Sequence, residues 1–470
     1  MPDYDVAVIG AGAAGLSVTA VAAQLGLRVV LIERERMGGD CLNFGCVPSK
    51  ALLAASHAVS AARHAGRFGI RLPEPAIDWD AVREHVHGVI ASIAPNDSAA
   101  RFRALGATVI HGEARFVAPD TLAVDRQRFT ARRIIIAAGS SPSVPPIPGL
   151  DQVPYLTNTT IFNLIDRPDH LLILGGGPVG LEMADAFAGL GAPVTLFEAA
   201  SIAGKEDPEL VAALRDSFHA RGIDLLEDAT IAEVEPGPTV ILSDGRRIAG
   251  SHLLVATGRR PNIQGLDLTK GDVQAGKAGI ATDRGLRSLT NRRVFAVGDI
   301  ADPQGIGVRA FTHVGSYHAG IVIRRALFRL PARLDYAALP RVIYTRPELA
   351  QAGMTETEAR AAGHRIGVLR WPMADNDRAV AEGETAGLVK LVVEGNRVLG
   401  AGIVAPNAGE MIGLWVLAIA RRVKLGTLAG IVIPYPTRSE AGKRAAANAF
   451  VPRLFAPRMK TIVRALARLP

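Results

Sequence analysis

Short apolar runs, each closed by glycine, set the rhythm of this chain. Asp5-Val6-Ala7-Val8-Ile9 shows no polar alternation beyond its first residue, the pattern of a parallel strand buried on both faces. It runs into Gly10-Ala11-Gly12-Ala13-Ala14-Gly15, and an alanine-rich stretch to Leu25 predicts a helix. Val29 to Ile32 then predicts a second strand ending at Glu33. The order recurs with Leu171 to Leu174, Gly175-Gly176-Gly177-Pro178-Val179-Gly180, a helix to Leu190, Val194 to Phe197 and Glu198. In both copies the acid follows the first glycine by 23 residues.

The chemistry of a dinucleotide explains these residue types. The first glycine (Gly10, Gly175) permits a tight turn, the second (Gly12, Gly177) lets the backbone approach a pyrophosphate, and the third (Gly15, Gly180) lets helix and strand sit close. Amides at the helix start bind phosphate, and the terminal carboxylate (Glu33, Glu198) accepts hydrogen bonds from a ribose diol. Two complete units predict two bound dinucleotides. A further echo closes each unit, Arg133 to Ala138 ending at Gly139-Ser140-Ser141-Pro142 and Leu253 to Thr257 ending at Gly258-Arg259-Arg260-Pro261. Pro142 to Pro154 reads as a linker. Val294 to Val297, followed by Gly298-Asp299, is expected to return the chain to the first unit and bring a carboxylate to a cofactor hydroxyl.

After Leu339 the texture changes to strand pairs, Leu388 to Val393 and Val398 to Val404 around Gly395-Asn396, and then an apolar helix. The expected fold class is α/β, with two Rossmann-like dinucleotide-binding domains and an α+β domain after them. The boundaries are 1–149 with 278–338, then 150–277, then 339–470. At about 150 residues per domain, 470 residues accommodate three. Apolar stretches such as Met411 to Ala420 stop short of the ~18 residues that cross a bilayer, so no integral membrane segment is expected. The start lacks a basic region before its first apolar run, which predicts neither a signal nor a transit peptide and a cytoplasmic address.

The net charge of +8 raises the question of nucleic acid, but Lys and Arg are spread along the chain, and no nucleic-acid partner is expected. The densest basic stretch, Lys443 to Pro470, intersperses Leu454, Phe455, Ile462, Val463, Leu466 and Leu469 with cations. The favoured reading is an amphipathic helix packed on its own protein; contact with anionic lipid is the alternative.

Two cysteines in 470 residues are no disulfide framework. A close pair in a reducing compartment points instead to redox chemistry or metal. They lie in Gly38-Gly39-Asp40-Cys41-Leu42-Asn43-Phe44-Gly45-Cys46-Val47-Pro48-Ser49-Lys50. At ~100° per residue, positions five apart in a regular helix point in different directions, so a bridge requires distorted backbone, for which Gly45 provides freedom. Zinc asks for four ligands and no second cysteine pair or spaced histidine cluster follows, so no metal is expected. Inert buried thiols remain the alternative.

That segment resembles the redox-active stretch of the class I pyridine nucleotide-disulfide oxidoreductases, and the similarity extends along nearly the whole chain. The Gly10 unit is similar to their FAD site, the Gly175 unit to their NAD(P)H site, and Thr290 to Asp299 to their second FAD motif. Pro434-Tyr435-Pro436-Thr437-Arg438-Ser439-Glu440 resembles the closing motif of their interface domain. The resemblance implies a homodimer with active sites shared between chains. It further implies that Cys41 is the thiol exchanging with substrate, that Cys46 lies against the flavin, and that Lys50 and Glu182 form a charged pair beside it. Helix-start placement and nearby cations are expected to lower the pKa of at least one sulfur. Glu198, with no arginine from Ala199 to Gly204, favours NADH over NADPH, with Lys205 as the opposing feature.

By the same resemblance, the disulfide reductases and lipoamide dehydrogenases of the family place a histidine where this chain has Tyr435, with Glu440 five positions on. At pH 7 only about a thousandth of an unperturbed phenol is ionised, so Tyr435 does not simply replace imidazole. A tyrosine here is similar to the mercuric reductases, yet the tail has no cysteine pair of the kind they use to collect metal. His313 is expected near the flavin edge, as a proton-transfer group or as packing. The leading expectation is NADH-driven exchange with a small disulfide or dithiol. A mercuric reductase-like metal reductase and a flavin diaphorase passing electrons to quinone or oxygen are the enzymatic rivals.

Overall fold

The computed structural model describes residues 1–470. Its first sheet is built on Tyr4–Ile9, flanked by Val29–Glu33 and by the second half of Gln127–Ile136, all parallel. Thr108–His111 extends it beyond Val29–Glu33, and Val294–Ala296 pairs in parallel with Ile134–Ile136 at the other side. The central strands are buried from Val6 to Ile9 and from Val29 to Ile32, which is why they read as unbroken apolar runs. The first half of Gln127–Ile136 leaves this sheet and pairs antiparallel with Thr121–Val124, which continues into Ala114–Ala118.

A second parallel sheet repeats the plan with Asp224–Leu226, Val194–Phe197, Leu171–Leu174 and His252–Val255 in that spatial order. The two echo segments found in the sequence meet each other. Ser140–Pro142 and Arg259–Pro261 pair antiparallel, so the chain's crossings between the two units run side by side. The expected linker from Pro142 to Pro154 is anchored, with Leu150 and Val153 buried against the second unit.

The last layer is a five-stranded antiparallel sheet in the order Pro340–Ile343, Glu348–Gly353, Arg397–Ala405, Leu388–Glu394, Gly367–Pro372. Helices Ala408–Ala420 and Glu440–Asn448 share its core, and a Cβ on Gly442 would lie 2.5 Å from the Trp415 ring. An ionic cluster ties this layer to the second unit. Lys390, 5% exposed, reaches Asp207, Glu209 and Glu356 at 2.9 Å each, and Arg370 adds bonds to Glu209. A buried ammonium is tolerable only with such partners. Arg370 first, then Lys390, holds the Glu209 carboxyl down at about 2.

The tail corrects the expectation of a helix packed on its own protein. It forms two helices, Val451–Leu454 and Pro457–Leu466, and neither buries a side chain. Pro457 separates them, because the residue before proline is pushed out of helical geometry, and Ala456 is extended at ψ 145°.

Replacing Lys390 by Met leaves three carboxylates around an apolar chain and should destabilise the fold by about 3 kcal/mol. Denaturant unfolding at pH 7 measures this. Because Glu209 has a depressed pKa in the folded protein, its share of the stability is present above pH ~4.5 and fades towards pH ~2. The wild type's advantage over the variant should therefore shrink in acid.

Candidate active site

The two dinucleotide turns are near copies. Gly10 and Gly175 have φ of +100° and +109°, and a Cβ there would lie 2.4 Å from Ala137 O and 2.6 Å from Ala256 O. A Cβ on Gly15 or Gly180 would fall 1.9 Å from the carbonyl of the turn's own first glycine. No other residue fits these positions. Gly177 meets nothing within 4 Å and Gly12 only Gly39 Cα at 3.9 Å, so the middle glycines leave the helix start open. Glu33 accepts from Ala11 N at 2.6 Å and Glu35 N at 2.8 Å; Glu198 accepts from Gly176 N at 2.7 Å and Ala200 N at 3.1 Å. Both carboxylates are thereby fixed beside open backbone amides, an arrangement that fits a dinucleotide's ribose and pyrophosphate. Gly139 and Gly258 also have positive φ and open surroundings.

Asp299 follows the returning strand Val294–Ala296. It accepts from Ser140 Oγ at 2.6 Å, with Arg259 Nε 3.9 Å away, and burial raises its pKa. Buried His318, which the sequence reading missed, accepts from Gly298 N at 3.0 Å through Nδ1 and so braces the preceding residue. Its pKa is lowered to about 4 by burial, which keeps it neutral and able to accept.

The cysteine segment is seated on the first turn: Gly38 N donates to Ala11 O at 2.9 Å, and a Cβ on Gly39 would lie 2.7 Å from Gly12 Cα. Helix Gly39–Phe44 stops at Gly45 (φ −128°, ψ −113°) and a new helix, Cys46–Arg63, begins at the second sulfur. The expected departure from regular helix therefore falls at Gly45. Asn158, from the second unit, donates to Asp40 at 2.9 Å and to Phe44 O at 3.1 Å, closing the end of the first helix. Both cysteines are free thiols.

The Cys46 thiol is lowered to about 6, chiefly by a hydrogen bond from Cys41, with help from Thr312 and Lys50 against the cost of burial. Thr312 Oγ1 lies 3.4 Å from Cys46 Sγ. Cys41 is pushed up by the same shared proton and by burial. One sulfur is lowered as expected, but the leading cause is the partner thiol.

Lys50 and Glu182 form the expected pair at 2.7 Å, with the Glu182 side chain only 7% exposed. The contact exists because helix Cys46–Arg63 lies directly on helix Pro178–Gly189, where a Cβ on Gly189 would be 1.9 Å from Ser56 Oγ. Tyr344 completes the group: its N–H donates to Glu182 at 3.2 Å, and Lys50 Nζ stands 4.3 Å from its ring centroid. Nothing in the local sequence around Tyr344 signals this role, which arises only from tertiary packing.

Tyr435 and Glu440 are not brought together by a hydrogen bond. Tyr435 is 67% exposed and its hydroxyl donates to Asp377 at 2.8 Å, which raises its pKa further. Glu440 sits in the first turn of its helix and is bound by Arg444 at 2.8 Å. His313 Nε2 lies 3.0 Å from Pro340 O, its ring stacks on Phe311, and burial lowers its pKa.

Twin dinucleotide cradles with a thiol pair seated on one of them define a two-cofactor oxidoreductase that works through sulfur. The chain belongs to the pyridine nucleotide-disulphide oxidoreductase family: the family's main domain matches residues 4–354 and its dimerisation domain residues 339–446. FAD is the flavin of that family. The chain is 38% identical to the mercuric reductase of Streptomyces lividans over 461 residues, covering 94% of this chain and 95% of that one. It is 33% identical to the dihydrolipoyl dehydrogenase of Chlamydia muridarum over 448 residues, covering 93% and 95%. The solved structure of RclA, an HOCl-induced flavoprotein disulfide reductase from Escherichia coli, superposes with a TM-score of 0.84 at 26% identity, covering 94% and 99%.

In the FAD-loaded protein reduced anaerobically by two electrons, a long-wavelength absorbance from the Cys46 thiolate should be present at pH 8 and fade as pH falls through about 6. Lys50→Met should move that midpoint upward, and Cys46→Ser should abolish the band.

Proposed function

We propose that this chain oxidises NADH and exchanges the electron pair with a small disulfide or dithiol through Cys41 and Cys46. The observation that carries this reading is the thiol pair, held across the Gly45 break with the Lys50–Glu182 pair one turn away. Gly10, Gly12, Gly15, Glu33, Gly139 and Asp299 would hold FAD; Gly175, Gly177, Gly180, Glu198 and Gly258 would hold the nicotinamide dinucleotide. Bound FAD supplies two-electron transfer between a nicotinamide and a disulfide.

The chain's own residues do the rest. Lys50 keeps positive charge beside Cys46, Glu182 fixes that ammonium, and Thr312 stands within reach of Cys46 Sγ. Cys41 passes its proton to the Cys46 thiolate and attacks the substrate disulfide. The first substrate sulfur leaves with that proton as a thiol, restoring the Cys46 thiolate, and a mixed disulfide forms on Cys41. The Cys46 thiolate then attacks Cys41 Sγ, releasing the second thiol and closing the internal disulfide. Over a full cycle NADH, one proton and a disulfide become NAD⁺ and two thiols. Glu198 supports NADH because the extra ribose phosphate of NADPH would face its carboxylate and be repelled.

A second reading, reduction of a soft thiophilic metal ion such as Hg(II), is favoured by the mercuric reductase relatives and by tyrosine at position 435. Paired thiolates are ligands for such an ion.

Turnover of the reduced enzyme with lipoamide, glutathione disulfide, Hg(II) and a quinone separates these readings: rapid discharge by a disulfide is expected, and discharge by Hg(II) alone establishes the second. Cys41→Ser should lower disulfide kcat/KM about a thousandfold or more while changing quinone reduction little. Equal loss of both activities overturns the relay. Glu198→Ala should cut kcat/KM for NADH about tenfold and narrow its advantage over NADPH, since a charge-assisted ribose contact is lost.

A further inference from the structure

The tail beyond the family's dimerisation domain, which ends at residue 446, is unaccounted for by the redox chemistry. From Ala447 to Pro470 it carries five Lys and Arg residues and no Asp or Glu. In helix Pro457–Leu466, at ~100° per residue, Met459, Ile462, Val463 and Leu466 fall within an arc of about 100°, while Arg458, Lys460 and Arg464 lie around the remainder. Leu454 and Phe455, just before this helix, are 58% and 59% exposed; Ile462, Val463 and Leu466 are each at least half exposed. An unburied apolar stripe of this size on a helix that touches no core asks for a covering surface.

Charge chooses among the possible covers. A second copy of the chain carries the same +8 and the same acid-free tail, so tail-to-tail contact would set cation against cation. An anionic bilayer surface offers apolar depth for the stripe and phosphate for the flanking cations, whose stems reach outward from a helix lying in the interface. The helix is too short to cross. We propose that Val451–Leu469 is an interfacial anchor that docks this enzyme on anionic lipid.

The FAD-loaded full chain should co-sediment with vesicles of phosphatidylglycerol and phosphatidylcholine at least about tenfold more than with phosphatidylcholine alone, and less as salt is raised. The triple variant Arg458→Glu, Lys460→Glu, Arg464→Glu should stay in the supernatant. The pair Ile462→Ser and Leu466→Ser should bind about tenfold more weakly. Both variants should oxidise NADH at the wild-type rate, because no residue of the redox site is touched. Failure of the wild type to sediment with anionic vesicles, or undiminished sedimentation of the charge-reversed variant, overturns the proposal. So does conversion of either variant to monomer in sedimentation velocity, which would assign the stripe to a second copy.

Discussion

The Lys50–Glu182 ion pair is the contact around which the site is organised. A carboxylate as buried as Glu182 requires a partner, and here the partner comes from the helix that begins at a redox sulfur. The requirement locks helix Cys46–Arg63 onto the helix that follows the second dinucleotide turn. Gly189 makes this possible by leaving room for Ser56, and the bonds from Ser56 to Asp185 O and from Arg63 to Gly189 O extend the seam along its length. The sulfurs are therefore bound to one cradle through Gly39 on Gly12 and to the other through this seam. Their position between the two glycine turns follows from close packing of glycines.

The electrostatics of the thiol pair rest on the same geometry. Cys41 and Cys46 share one hydrogen bond, so lowering one thiol raises the other. The split falls towards Cys46 because the Lys50 ammonium is on its side. A pair with one ready thiolate and one retained proton is suited to taking up and releasing electrons two at a time.

Much of this was legible in the sequence. The cradles could be read because the constraint that makes them is local: a turn with positive φ, a helix against a carbonyl, and an acid at the end of the next strand each demand one residue type at a fixed distance. The Gly45 break was readable for the same reason. Tyr344, Asn158 and His318 were not, since their roles arise from elements far apart in the chain that happen to meet. Tyr435 and Glu440 look like a unit at five-residue spacing, but Glu440 belongs to a helix whose own Arg444 lies one turn on, while Tyr435 precedes that helix beside Asp377. The tail's periodicity foretold helix correctly and its burial wrongly, because an amphipathic pattern states that a face wants cover without stating whose.

The bond from Tyr435 to Asp377 has a bearing on how the catalytic cycle is balanced. A phenol held as a donor to a carboxylate is a poor store for the hydrogen ions that each disulfide consumes on becoming two thiols. In our reading these must be drawn from the surrounding water, so throughput would follow buffer supply more closely than in an enzyme with an internal imidazole reservoir. An oxidant that accepts two electrons and no hydrogen ions, as a metal cation does, would escape that dependence altogether.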